Sequence, residues 1–111
     1  MAQDNILYSN SSNINSLIAY QEGAVVSRTL INKKVGTITL FSFDEGQSLS
    51  EHTAPFDAFA QVIDGEAEIT IGGINHHLIA GDAIIMPGGV PHAVKATKQF
   101  KMLLVMVKQA D

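Results

Sequence analysis

The most constraining stretch of this chain is Glu66-Ala67-Glu68-Ile69-Thr70-Ile71, followed by Gly72-Gly73. Ala67, Ile69 and Ile71 alternate with polar neighbours at a period of two, the pattern of a strand with one wet face and one packed face. The Gly-Gly pair supplies the positive φ that a tight hairpin turn requires, so His76 to Ile79 is expected as the return strand. A chain committed to one such hairpin must cover its apolar face with further strands or helices. Everything after Ser16 points to strands. Val25 to Ile31 is β-branched, Gly36 to Phe43 reads Gly-Thr-Ile-Thr-Leu-Phe-Ser-Phe, and Ala58 to Ile63 is a third candidate. Gly81-Asp82 marks a turn before Ala83 to Met86, Pro87-Gly88-Gly89 and Pro91 interrupt, and Ala93 to Ala96 resumes pairing. Phe100 to Lys108 is apolar at both parities, which fits a strand buried on both faces in a sandwich layer or at a subunit contact. Short strands with regular turn signals and no sustained helical period give an all-β sandwich or barrel. The polar residues 1–16, rich in Asn and Ser with Ile6, Leu7 and Ile14 among them, read as an N-terminal arm docked at a few points, and 17–111 as one barrel domain.

Charge and composition exclude several classes of function. Seven basic against eleven acidic residues leave a net charge of −4, which disfavours nucleic acid as a partner. At 46% hydrophobic and 16% charged, the 111-residue chain has the composition of a folded domain. The absence of cysteine removes disulfides, thiolate metal sites and cysteine nucleophiles. No apolar run approaches the roughly 20 residues of a membrane helix, and Met1 to Asn5 has no signal-peptide character, so a cytoplasmic protein without membrane contact is expected. Walker, dinucleotide and G-x-S-x-G motifs are lacking. The lone arginine, Arg28, cannot form a phosphate-binding cluster and is expected as an ion-pair partner at a subunit edge. Charge is unevenly spread. Seven acidic residues and no lysine or arginine lie between Asp44 and Glu68, whereas Lys95, Lys98, Lys101 and Lys108 gather near the C-terminus. Two solvated patches, or complementary patches meeting in a homodimer, both fit that distribution.

Two segments carry chemistry. Gly46-Gln47-Ser48-Leu49-Ser50-Glu51-His52-Thr53-Ala54, running on to Gly65, resembles the first motif of the cupin superfamily, G-x5-H-x-H-x3-E-x6-G, with Gly46, His52 and Gly65 on its marks. Gly81 to His92 resembles the second motif, G-x5-P-x-G-x2-H-x3-N, with Gly81, Pro87, Gly89 and His92 in place. The resemblance spans about residues 36 to 107. It implies a double-stranded β-helix, a jelly-roll-like barrel of two antiparallel sheets, and points to a homodimer. It also implies a metal held inside the barrel by three histidines and one glutamate. This chain departs from that set: Ala54, Ala58 and Ala96 stand where the family has its second histidine, its glutamate and its closing asparagine.

An open transition-metal site usually needs about three protein ligands, and alanine has no lone pair to offer. His52 and His92 alone form an incomplete ligand set for a divalent transition metal, with nothing to choose among nickel, zinc, iron and manganese. Substitutes nearby are poorly placed: Asp57 and Gln61 have the opposite strand parity to Ala58. One of His76 and His77 must face inward if its strand is regular, and solvent is the ordinary place for either. The same histidines also fit a pair of polar residues satisfied at a barrel mouth, or donors and bases toward a metal-free ligand. Phe41, Phe43, Phe56, Phe59, Met86, Met102 and Met106 are candidates to shape an apolar interior, with Phe56 after Pro55 as a lid. The leading expectation is a small cupin that binds a small organic molecule in the barrel, metal-free or weakly metal-binding. His52 and His92 are its polar contacts, and Phe56, Met86 and Met102 its apolar ones. The alternative is a metal-dependent dioxygenase, isomerase or decarboxylase with a third ligand from outside the motifs. A sensing module without chemistry is the third reading.

Overall fold

The structure is a computed structural model, and it describes residues 7–108. A short 3-10 helix, Ile14–Leu17, precedes eight strands: β1 Val25–Lys33, β2 Gly36–Phe43, β3 Ser48–His52, β4 Asp57–Ile71, β5 Ile74–Ile79, β6 Ala83–Met86, β7 His92–Lys95 and β8 Phe100–Val107. All pairings are antiparallel. One sheet runs β1-β2-β8-β4-β6 and the other β5-β4-β7-β3, so that β4 belongs to both. The family fold expected from the two motifs, a double-stranded β-helix barrel, is the one found.

The shared strand differs from the sequence reading. Ala58 to Ile63 and the alternating run ending at Ile71 are one strand of 15 residues, not two. A bulge lies between Val62 and Asp64, followed by Gly65 with φ of 77°, and the strand leaves one sheet for the other at that point. A bulge adds a residue to one side of the ladder and bends it, which is how one strand can serve two sheets. The hairpin after Ile71 is as expected: Ile71 pairs with Ile74 across the Gly72-Gly73 turn. Strand β3 was not apparent, because of Ser48-Leu49-Ser50-Glu51-His52 only Leu49 is even half-buried.

The interior between the sheets is apolar. Phe43 and Phe100 stack with ring centroids 4.5 Å apart and planes 8° from parallel. Around them pack Val62, Ala67, Ile69, Val94, Ala96 and Met102. Fully burying a side chain of the Phe or Met class is worth roughly 1.5–3 kcal/mol, so this cluster dominates the stability of the barrel. Phe59, expected inside, faces outward instead: its neighbours Ala58 and Ala60 hold the interior positions, and strand parity sends the phenylalanine to the other side.

A second cluster lies on the outer face of β1, β2 and β8. Leu17, Ile18, Leu30 and Leu40 form it, with Leu7 and Ile14 packed against them. The segment before β1 is pinned there by side chains that donate to its carbonyls. Lys101 Nζ reaches Asn15 at 2.6 Å, Arg28 Nη1 reaches Leu17 at 2.7 Å, and Ser42 Oγ reaches Ala19 at 2.9 Å. Arg28 therefore holds this strap through a carbonyl, and the ion pairs among the described residues do not include it. The Tyr20 hydroxyl donates to Asp64 at 2.5 Å, and partial burial together with that carboxylate pushes its phenol above its ordinary range. Ile6 and the rest of residues 1–6 lie outside the described residues. No described helix is long and apolar enough to cross a membrane.

Candidate functional site

His52 ends β3 and His92 begins β7, and the ladder places them opposite each other. Directly paired residues share a face. His92 also pairs with Ile71 of β4, so both histidines lie on the face that carries Ile69, Val94 and the core. Their rings meet edge to face, with centroids 4.4 Å apart at 67°. His92 is buried and His52 exposed, so the pair runs from the interior to the rim.

The two rings have the same tautomer for the same reason. His52 Nδ1 lies 2.8 Å from the Ser50 carbonyl, and His92 Nδ1 lies 3.3 Å from the Val90 carbonyl. A carbonyl oxygen only accepts, so in the neutral ring Nδ1 carries the proton and Nε2 keeps its lone pair. Burial holds His92 below the ordinary histidine range, the Val90 carbonyl opposes this, and the nearby His52 adds to the depression. At neutral pH His92 is therefore an acceptor and a base at Nε2. No sequence signal could have found the partners that set this tautomer, since backbone carbonyls carry none.

The rim around the histidines is held by backbone contacts between the two motif segments. Gly89 donates its N–H to the Ala54 carbonyl at 2.8 Å, and Gly88 donates to Asp57 Oδ1 at 2.9 Å. Gly72, at the β4–β5 turn, donates to the Pro91 carbonyl at 2.8 Å. Gly88 packs directly on the other loop: a Cβ there would stand 3.1–3.2 Å from the backbone of Pro55 and Phe56. Asp57, weighed as a substitute metal ligand, is thus committed to this loop. The three turns brace one another, which pre-forms the mouth.

The alanines that depart from the family's motifs present only methyl groups. Ala58 is buried opposite Met86 of β6 and Met106 of β8. Ala96 is fully buried, its backbone closing a pair of hydrogen bonds with Gly46 and Gln47. Of the two histidines on β5, His76 pairs with Ile69 and has the inward parity, whereas His77 pairs with Glu68 on the outer face. There His77 contacts Glu68 through Nδ1 and Glu66 through Nε2 at 3.0 Å. The Glu68 hydrogen bond raises His77 above its usual range, and Asn75 with His77 lowers Glu68. His76 does not complete a metal site, because β4 lies between its strand and β7. Among the described residues no group of three His, Cys, Asp or Glu could hold a metal ion. Two imidazoles alone do not supply the roughly three protein ligands that an open transition-metal site demands.

The apolar candidates divide by depth. Met86 lies in the row of Ala58 and Met106, at the start of β4. Met102 is deeper, between Phe41 and Val62 and two residues from the stacked Phe100. Both are buried and fill the interior. Phe56 sits half-buried on the rim loop, with Lys108 Nζ 5.5 Å from its ring centroid.

Comparison with known proteins follows the same division. The model of the cupin domain family matches residues 39–108, and the chain belongs to that family. A conserved protein of unknown function from Streptococcus pyogenes is 36% identical, with a TM-score of 0.91 over 97% of this chain and 95% of that one. A cupin 2 conserved barrel domain protein from Leptotrichia buccalis is 40% identical with a TM-score of 0.85 over 87% of this chain, which spans 47% of that protein's length. A cupin superfamily protein from Desulfitobacterium hafniense is 29% identical, with a TM-score of 0.89 over 98% and 100% of the two chains. Salicylate 1,2-dioxygenase from Pseudoaminobacter salicylatoxidans and a predicted oxalate decarboxylase from Thermotoga maritima share the fold alone, at 17% and 19% identity. No curated protein matches the chain.

Proposed function

We propose that this cupin binds a small organic molecule at the mouth of its barrel, with His52 and His92 as the polar contacts and without a resident transition metal. The observation that carries this reading is the matched pair of imidazoles, each with Nδ1 turned to a backbone carbonyl and Nε2 left to accept. Two adjacent acceptors suit a ligand that brings hydroxyl, amide or acid protons, and a neutral His92 can take a proton from an acid. Met86 and Met102 are buried and fill the barrel below them, so the hydrocarbon portion of a ligand would rest on the rim rather than in the interior. The braced rim keeps the entropic cost of binding low, because the loops are already ordered. Phe56 on the rim contributes an aromatic edge to the entrance.

The alternative, a metal-dependent dioxygenase, isomerase or decarboxylase, is favoured by the fold it shares with enzymes of the first and third kinds. It lacks a third ligand among the described residues. The test is a thermal-shift screen of small acids, phenols and alcohols, followed by titration of each hit into protein labelled with ¹⁵N-histidine. A ligand of the proposed site moves the Nε2 resonances of His52 and His92 and leaves those of His76 and His77 in place. Hits that shift the melting temperature without touching either mouth histidine would refute the assignment.

A further inference from the structure

The mouth of the barrel has a second side that the histidine pair does not account for. Two short loops join the mouth ends of the sheets. Residues 53–56 run from His52 at the end of β3 to Asp57 at the start of β4, and residues 87–91 run from Met86 of β6 to His92 of β7. The pair lies on the inner face of one sheet, so the ends of β4, β6 and β8 in the other sheet stand across the opening from it. Along β4 and β8 the inward row next to the mouth is Ala58 with Met106. Two residues further on, at the same parity, the ladder reaches Phe56 and Lys108. Their contact agrees: the Lys108 ammonium lies 5.5 Å from the centre of the Phe56 ring, within cation–π range. The row extends to both sides. The Lys108 N–H donates to the Val35 carbonyl at 2.8 Å, and Gly88 packs on the Phe56 backbone. Both side chains are half-buried, so the ammonium is held at the opening and keeps access to solvent.

We infer that Lys108 is the anion-recognising group of the mouth, and that the ligand is a small carboxylic acid that also carries a hydroxyl. This rests on the histidine site proposed above and gives it a specificity. Lys108 belongs to none of the ion pairs among the described residues, which join His77 and Lys98 to Glu66 and Glu68. Its charge is therefore open to a ligand. Lys33 and Lys34, at the β1–β2 turn beside Val35, are also outside those ion pairs and add positive potential at the same end. The nearest acid of β4, Asp57, has the opposite parity to Phe56, and its Oδ1 accepts from Gly88. The histidines dictate the orientation of such a ligand. A carboxylic acid is ionised at neutral pH and brings no proton to an Nε2 acceptor, so its carboxylate belongs at Lys108 and its hydroxyl at His52 or His92. Packed sheets lie about 10 Å apart, a gap that one ring with a polar group at either end bridges. The hydrocarbon between the two groups rests on Phe56. A single ammonium suits one carboxylate, whereas phosphate recruits several donors, arginine above all, and Arg28 is committed to the Leu17 carbonyl.

The test titrates three molecules of one skeleton, para-hydroxyphenylacetate, tyrosol and tyramine, into the whole chain. They share a phenol and end in a carboxylate, a neutral hydroxyl and an ammonium. Calorimetry gives the affinities, and ¹⁵N-histidine resonances report on the pair. The acid should bind about fivefold to tenfold more tightly than tyrosol, and tyramine more weakly than either. Such a preference is local, since the net charge of −4 repels an anion overall. Lys108→Gln should abolish it while leaving the affinity for tyrosol within about twofold, and Lys108→Arg should keep most of it. Added salt should shrink the preference in the wild type and not in Lys108→Gln. The backbone bond to Val35 survives both substitutions, and far-UV circular dichroism verifies the fold. Lys98→Gln is the control: Lys98 pairs with Glu66 at 3.5 Å on the outer face of the other sheet, and its loss should leave the preference unchanged. No preference for the acid over tyrosol, or one that survives Lys108→Gln, would overturn the inference. So would an acid that fails to bind at about 10 mM. A preference that needs Lys108 but leaves the His52 and His92 resonances in place would uphold the anion site and refute the histidine contacts instead.

Discussion

Gly65 is the position where β4 passes from one sheet to the other, and its replacement by alanine tests the account of how the barrel closes. Two separate costs apply. The φ of 77° lies in the left-handed region, which costs an L-residue roughly 1–2 kcal/mol. The added methyl group would also stand 2.0 Å from the Gln99 carbonyl oxygen and 2.8 Å from Phe100 Cα. Both are backbone atoms, so no side chain can swing aside. Strand β8 must move off β4 at the place where Gly65 pairs with Phe100 and where Phe100 stacks on Phe43. Overpacking of this kind adds about 1–3 kcal/mol. The sum, about 2–5 kcal/mol, corresponds to a fall in melting temperature of roughly 9–21 °C for a domain of this size. Gly73→Ala provides the reference, since its φ of 83° is equally unsuitable but nothing lies within 4 Å of the new methyl. It should lose the conformational cost alone. Calorimetry or thermal circular dichroism on the three proteins separates the two contributions. Equal losses at Gly65 and Gly73 would refute the claim that the close approach of β8 dictates glycine at the corner.

Two further predictions concern the histidine pair and the strap. His92 titrates below 6.5 when folded, so the unfolded chain binds more protons as the pH falls below that value. Its contribution to stability is complete above 6.5 and declines toward the folded value, which a His92→Gln variant should abolish. The measurement belongs in a His77→Gln background, because His77 is raised and its stabilisation, present below 6.5, is lost as the pH rises. Melting temperatures that do not converge between the His92→Gln variant and its parent as the pH drops from 7 to 5 would contradict the assigned burial. Tyr20→Phe removes the hydroxyl that donates to Asp64 and should cost about 1 kcal/mol. Faster amide exchange at residues 15–20, with little change in β4 and β8, would accompany it.

Much of this architecture was legible because side-chain period and turn chemistry act locally. The alternation from Ala67 to Ile71, the Gly72-Gly73 turn and the doubly apolar Phe100 to Lys108 all found their structural counterparts. The outward row on β8, Leu103, Val105 and Val107, explains why that strand is apolar at both parities: one face fills the barrel and the other meets the strap and, at Val107, solvent. What was not legible depends on contacts between distant segments. The union of two apparent strands into β4 rests on a bulge with no composition of its own. The contact of Arg28 with the Leu17 carbonyl was not legible either, because a carbonyl acceptor from a passing strap leaves no mark in the sequence. At the site, the resemblance of two segments to the family's motifs was what joined His52 and His92, and the ladder sets them opposite each other. The tautomer of each ring and the inward parity of His76 required the register itself.

The central claim is that this cupin works with two histidines and no resident transition metal. Elemental analysis of untagged protein purified without chelator, beside its His52→Ala and His92→Ala variants, tests it most directly. The account predicts nickel, zinc, iron and manganese at background in all three. Near-stoichiometric metal in the parent, lost in both variants, would contradict it and require a ligand beyond the pair.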